Sequence, residues 1–268
     1  TIRSYSTISY MSTFNSSGVF TLMTRRTQKD TAYAFNDSDI IASYDLDMDV
    51  WHPNREKMAL IAGEILPFKR SESLRILDLG VGSGYLSYKM IEMFPNASLI
   101  AVDAAALMID HAKQRLEAHL GQITFKAMTF QELPEKEKNL SGIDAAVSAF
   151  ALHHLSRDEK LRLFQFVYSI LKPNGWFINC DIFQSVAPVF ETLFRHQQYI
   201  GVRERTRSMK NQEKSLDQIS SEYTAKEKRD GDNLMTVTED MEILSEAGFQ
   251  MVECIWKEYR ESVYGGIK

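Results

Sequence analysis

Apolar runs of strand length alternate with stretches of helical spacing along most of this chain. Leu74, Ile76, Leu77 and Leu79 form the first run, short and nearly continuous, as a strand buried on both faces should be. After Gly80-Val81-Gly82-Ser83-Gly84 the apolar positions recur at helical spacing through Leu86, Met90 and Ile91, and Pro95-Asn96 turns the chain. The pattern then repeats. Strands are predicted at 98–103, 123–128, 143–150 and 176–181, with clear helices over 104–120 and 157–171 and a Lys172-Pro173-Asn174-Gly175 stop before the fifth strand. Five strand–helix alternations with short joins predict an α/β fold built on a doubly wound parallel sheet.

The flanking segments differ. Residues 32–55 carry Phe35, Ile40, Ile41, Tyr44 and Trp51 at roughly helical spacing, and 55–66 is an amphipathic helix presenting Met58, Ile61, Ala62 and Ile65 before Pro67. After the fifth strand the rhythm breaks into a charged, aromatic-rich helical stretch over about 184–236, read as a lid. A last helix over 239–247, stopped by Gly248, leads to a strand pair at 249–256 and 262–267.

Composition narrows the function classes. The 268 residues suit one substantial core with an added lid, and the net charge of −5 gives no electrostatic reason to bind nucleic acid or anionic membrane. No apolar run reaches the roughly 18–20 residues of a membrane span. Cys180 and Cys254 sit in apolar strand-like runs, read as buried free thiols in a reducing, cytoplasmic setting. Residues 1–30 stand apart. They are rich in Ser and Thr, carry Arg3, Arg25, Arg26 and Lys29, and have no acid before Asp30. A transit peptide, a disordered arm, or codons upstream of a start at Met11 or Met23 all fit, the last two better. The single folded domain is expected over 31–268.

The glycine turn carries the chemistry. Three glycines between a strand and a helix let a ligand approach the backbone, while the helix start offers free N–H groups. The dinucleotide fingerprint G-x-G-x-x-G is not met, because Tyr85 or Ser87 stands where its third glycine belongs. The pattern is instead Asp78-x-Gly80-x-Gly82-x-Gly84, and an acid before the turn suits an amino acid's ammonium better than a pyrophosphate. Asp103, about 20 residues on at the next strand's tip, is placed to accept from ribose hydroxyls.

This stretch resembles motif I of the class I S-adenosylmethionine-dependent methyltransferases, and the likeness extends over most of the chain. It covers Phe35…Tyr44-Asp45, the Ala151-Leu152-His153-His154-Leu155 exit of the fourth strand, the Leu-Lys-Pro-Asn-Gly turn and the closing antiparallel pair. The resemblance implies a Rossmann-like sheet of about seven strands with a helical lid inserted after the fifth. It implies S-adenosyl-L-methionine as cofactor, held by Tyr44, Asp78, Gly80, Gly82, Gly84, Asp103, Ala104, Met128, Thr129 and Phe150. The family usually has an acid where Met128 stands, so Thr129, Gln131 or a backbone carbonyl would have to meet the adenine. His153 or His154 would serve as base or orient the acceptor, and Arg195, Tyr199 and Arg203 would face it from the lid.

No metal site is expected. Adjacent histidines on an extended chain diverge, and no cysteine or third histidine lies at ligand spacing. The implied activity is methyl transfer to a small-molecule acceptor through an O, N or C nucleophile. The layout is also similar to enzymes that make carboxy-S-adenosylmethionine for tRNA wobble uridine modification, and a non-catalytic S-adenosylmethionine-binding protein is a third reading. A homodimer is left open.

Overall fold

The computed structural model describes residues 35–268, so the arm at 1–30 lies outside the described residues. Helix α1 (Ser38–Trp51) is capped by the Asp37 carboxylate, which accepts from the Asp39 amide, and α2 (Arg55–Glu64) follows after a tight corner. The strands and helices then alternate as β1 (Arg75–Leu79), α3 (Tyr85–Met93), β2 (Ser98–Asp103), α4 (Ala106–Arg115), β3 (Ile123–Ala127), a short α5 (Leu133–Lys136), β4 (Ile143–Ala149), α6 (Arg157–Ile170) and β5 (Leu171–Ile182). Two lid helices, α7 (Pro188–Lys210) and α8 (Leu216–Asp230), precede α9 (Val237–Glu246), β6 (Gln250–Glu258) and β7 (Glu261–Ile267).

The seven strands form one sheet in the order β3-β2-β1-β4-β5-β7-β6. β1 pairs in parallel with both β2 and β4, and β7 enters antiparallel between β5 and β6. Side chains alternate across the sheet, so neighbours on β1 enter different cores. Ile76 packs with Met58, Met90 and Leu99 on one face, while Leu77 and Leu79 pack with Phe164 and Phe177 on the other. The chain reverses its direction of crossing between β1 and β4. Ligands of open α/β sheets bind beyond the carboxyl ends of the strands at such a point.

Two details depart from the sequence pattern. The Lys172-Pro173-Asn174-Gly175 turn does not precede the fifth strand cleanly. Leu171 already pairs with Ile143, and regular pairing resumes at Trp176 opposite Ala145. Between them Asn174 takes φ 61 and its amide donates to the Lys268 carbonyl. The lid is two helices joined at 211–215, because Asn211 in the left-handed region ends α7 and Ser215 starts α8 with a capping box to Gln218. Among the described residues no helix is long and apolar enough to cross a membrane.

Candidate functional site

The cleft is built on the turn between β1 and α3. Gly80, Gly82 and Gly84 all have positive φ, at 80, 50 and 78. They do different work. A Cβ on Gly80 would fall 2.3 Å from the Ala151 Cβ, so this glycine lets the turn pack against the end of β4. A Cβ on Gly84 would strike the Leu116 side chain at 2.9 Å, which places Gly84 against α4 rather than in the cleft. Gly82 is open, with the Tyr44 hydroxyl the nearest atom at 3.6 Å. The Gly80 and Val81 amides donate to the Val102 carbonyl, and the Gly82 amide donates to Asp103 Oδ2 at 2.9 Å.

Asp103 thus has a double task in the fold. Its Oδ1 accepts from the Ala105 amide at 2.9 Å, and burial raises its pKa while the Ala105 and Gly82 amides oppose that shift. Each oxygen still has a lone pair for a ligand hydroxyl. Asp78 is deeper, fully buried at the end of β1. Its Oδ2 accepts from the Ser87 hydroxyl at 2.5 Å, and its Oδ1 has no hydrogen-bond partner. Burial pushes its pKa up to about 7 despite the Ser87 bond.

Helix α1 is clamped across this turn by Asp45. Its Oδ1 accepts from Arg55 Nη2 at 3.0 Å and from the Ser83 hydroxyl at 2.8 Å. Its Oδ2 accepts from Arg115 Nη2 at 2.5 Å and faces His111 Nε2 at 3.0 Å. Arg55 is buried, also donates to Ser83 and lies 4.0 Å above the Tyr85 ring. The clamp brings Phe35, Tyr44 and Met48 to the wall of a cleft with about 860 Å³ of space, counting its open mouth. Gly80, Gly82, Asp103, Ala104, Phe150 and His154 also line it, as do Met108 and Phe130.

A second cavity, with about 1410 Å³ on the same measure, continues from the first toward α8. His153 and His154 stand at its wall, in a 3₁₀ turn (Leu152–His154). The expectation that adjacent histidines diverge fails because this tight turn is not extended chain. Their ring centroids are 4.0 Å apart. His153 Nδ1 is 2.5 Å from Asp181 Oδ1, and Asp181 Oδ2 accepts the Leu152 and His153 amides. Burial pushes His153 down, but Asp181 and Asp232 outweigh it and hold its pKa up to about 10. Burial and then the neighbouring His153 charge push His154 down to about 3.

The sequence-predicted residues separate accordingly. Tyr44, Gly80, Gly82, Asp103, Ala104, Phe150 and His154 share the first cleft, and His153 joins His154 in the second. Asp78 and Gly84 lie beneath the turn. Met128 packs into the core, while the Thr129 amide donates to Glu132 Oε2 in a local cap. Neither Met128 nor Thr129 lines the cleft, and Phe130 does. Arg195, Tyr199 and Arg203 line neither cavity. Arg195 donates to Glu191 and Glu227, Tyr199 packs on Tyr223, and Arg203 pairs with Glu204 at the surface. Acids neutralise both arginines, Glu191 one turn before Arg195 and Glu204 next to Arg203 in the chain. The sequence pattern missed Arg55, Ser83 and Asp232. Arg55 was hidden as an ordinary helix-start cation, and Asp232 approaches only because the lid folds back.

Comparison with known proteins points the same way. Residues 76–175 match the model of a methyltransferase domain. The chain carries a methyltransferase domain. A malonyl-[acyl-carrier protein] O-methyltransferase of Bacillus cytotoxicus is 39% identical over 66 residues, which are 25% of this chain and 22% of that protein. A carboxy-S-adenosyl-L-methionine synthase of Campylobacter hominis is 23% identical over 205 residues, covering 74% of this chain and 78% of that one. Human N-acetylserotonin methyltransferase, solved in complex with S-adenosylmethionine, shares the fold with TM-score 0.54, at 18% identity, over 89% of this chain and 56% of that one. The first relative is thus matched over about a fifth of its length.

The residues present fit S-adenosylmethionine, with which the human N-acetylserotonin methyltransferase was solved. The open face of Gly82 allows close approach to the backbone. Asp103 at the tip of β2 retains acceptor capacity. Ala104, Ala105, Met108 and Phe130 make an apolar slot beside it, as a purine ring requires.

Proposed function

We propose that the chain transfers the methyl group of S-adenosyl-L-methionine to a small-molecule acceptor through an O, N or C nucleophile. The observation that carries this reading is the continuity of the two cavities. Phe35, Tyr44, Met48, Phe150 and His154 line both. When bound, the cofactor supplies an electrophilic sulfonium methyl. The chain's own task is then to align an acceptor and exclude water. Asp103 and the glycine turn hold the cofactor end. Aromatic residues wall the junction, and α1 closes it through Asp45. His154 meets the acceptor at the junction, while His153, held by Asp181, fixes the turn that presents it.

The likeness to a carboxy-S-adenosyl-L-methionine synthase supports a second reading. An extra carboxylate on the cofactor would call for an uncompensated cation. Arg55 in the first cleft is tied to Asp45, and Arg229 in the second donates to Asp230. The geometry therefore favours the unmodified cofactor. Calorimetry with S-adenosylmethionine and NAD, followed by an acceptor screen that reads S-adenosylhomocysteine, tests the proposal. One-to-one cofactor binding and acceptor-dependent turnover are expected. NAD binding without S-adenosylmethionine binding would overturn it, and a co-purifying carboxylated cofactor in native mass spectrometry would favour the second reading.

A further inference from the structure

A cluster beyond the cofactor cleft has the form of a metal centre. His153, His154 and Asp232 each offer one ligand atom, and these atoms lie within 4.8 Å of one another. Asp232 Oδ1 is 3.5 Å from His153 Nε2 and 3.4 Å from His154 Nδ1. Ligands bound at about 2.0–2.1 Å around a tetrahedral zinc ion stand roughly 3.3–3.4 Å apart, and a facial octahedral set stands closer, near 3.0 Å. The two spacings from Asp232 Oδ1 suit the tetrahedron better than the octahedron.

Hydrogen bonding alone leaves the cluster unexplained. Asp232 Oδ1 and His154 Nδ1 are buried and neither has a hydrogen-bond partner, although they face each other. Such orphaned groups are costly in a folded protein. Both atoms also lie within 4.8 Å of His153's ligand nitrogen. The support around them is that of a ligand set. His153 uses Nδ1 on Asp181 at 2.5 Å, which leaves Nε2 to face Asp232, and a carboxylate behind a histidine is the usual way to orient a metal ligand. Asp232 is fixed by its neighbours. Gly231 in the left-handed region ends α8, the Asp232 amide donates to the Glu227 carbonyl, and the Asn233 amide donates to the His153 carbonyl at 2.8 Å. The loop that carries the acid is thereby tied to the turn that carries the histidines.

We infer that His153 Nε2, His154 Nδ1 and Asp232 Oδ1 bind one divalent transition-metal ion, zinc by their spacing and ligand types. Both histidines also line the second cavity, so an oxygen or nitrogen of the acceptor can take a fourth position. The site stands on its own geometry and does not depend on the methyl-transfer reading.

The test is metal binding, read without activity. Untagged protein, stripped with a chelator and dialysed, is titrated with zinc by calorimetry and with cobalt by visible absorption. One ion per chain is expected, with the intense visible bands of tetrahedral cobalt and no thiolate charge-transfer band. His154→Gln and Asp232→Asn should each weaken zinc at least ~100-fold, beyond the roughly 10–100-fold lost when only a supporting hydrogen bond is removed. His119→Gln, outside the cluster where His119 faces Gln122, should change nothing. Circular dichroism of each stripped variant confirms that it is folded. Absence of binding, a thiolate signature, or equal affinity in all three variants would overturn the assignment.

Discussion

Asp78 and Asp103 show how one residue type takes two roles a strand apart. Asp103 keeps both oxygens in short amide bonds at the cleft wall, so Asp103→Ala should lose cofactor and loop support together. We expect cofactor affinity to fall about 10- to 100-fold, roughly 1.4–2.8 kcal/mol, by calorimetry. Asp78 has one oxygen unpartnered and a pKa near 7 in place of 3.8. A raised acid holds its proton in the folded state after the unfolded chain has released it. Its stabilising effect is therefore full below about pH 4 and lost as pH rises through about 7. Asp78→Asn, which keeps an acceptor for Ser87, should match the parent near pH 4 and exceed it at pH 8 by on the order of 3 kcal/mol. Urea unfolding at both pH values measures this, and a pH-independent difference would contradict it. At this scale the positions of the glycines, Asp78 and Asp103 were legible from local spacing along one strand–turn–helix unit, but not that Asp78 and Gly84 lie beneath the turn and outside the cleft. The unpartnered oxygen of Asp78 was not, since burial depends on how α3 and β4 pack around the turn.

Among elements, α1 depends on a single carboxylate. Asp45 meets Arg55, Ser83, Arg115 and His111 at once. Asp45→Ala strips the buried Arg55 of its nearest counter-charge and should cost about 2–3 kcal/mol of stability. The same change should speed cofactor release in stopped-flow experiments by loosening Phe35 and Tyr44. The lid makes the opposite prediction. Arg195→Ala removes bonds to Glu191 and Glu227, which also hold the buried Arg260. It should make α7 and α8 easier for protease to nick while leaving cofactor affinity unchanged, and a loss of affinity would restore Arg195 to the site. Sequence spacing showed that α1 and the lid exist. It did not show which face each presents, because Asp45 and Arg195 find their partners on elements distant in the chain. The succession of strands was legible as far as β5 from its alternating periods, but not their order across the sheet. The closing strand pair was read from its apolar runs, but the insertion of β7 between β5 and β6 was not.

Taken whole, the molecule is one sheet with its ligand cleft at the β1–β4 crossover. A ligand bound there touches α1, β1, β2 and the exit of β4 together, so it should stabilise the domain as a unit. S-adenosylhomocysteine at about 100 times its Kd should add roughly 2.7 kcal/mol, read as a rise in Tm that grows with ligand concentration. The position of β7 has a consequence for how the protein is made. Strands β1 to β5 can pair as they leave the ribosome, but the free edge of β5 has its partner in β7. About 80 residues separate Ile182 from Glu261, which at ~5–20 residues per second leaves that edge uncovered for roughly 4–16 s of synthesis. An unpaired strand backed by a finished hydrophobic core is a template for wrong pairing. The lid and α9 are translated during that interval, so the nascent chain passes through a stage at which slowed translation or scarce chaperone invites aggregation.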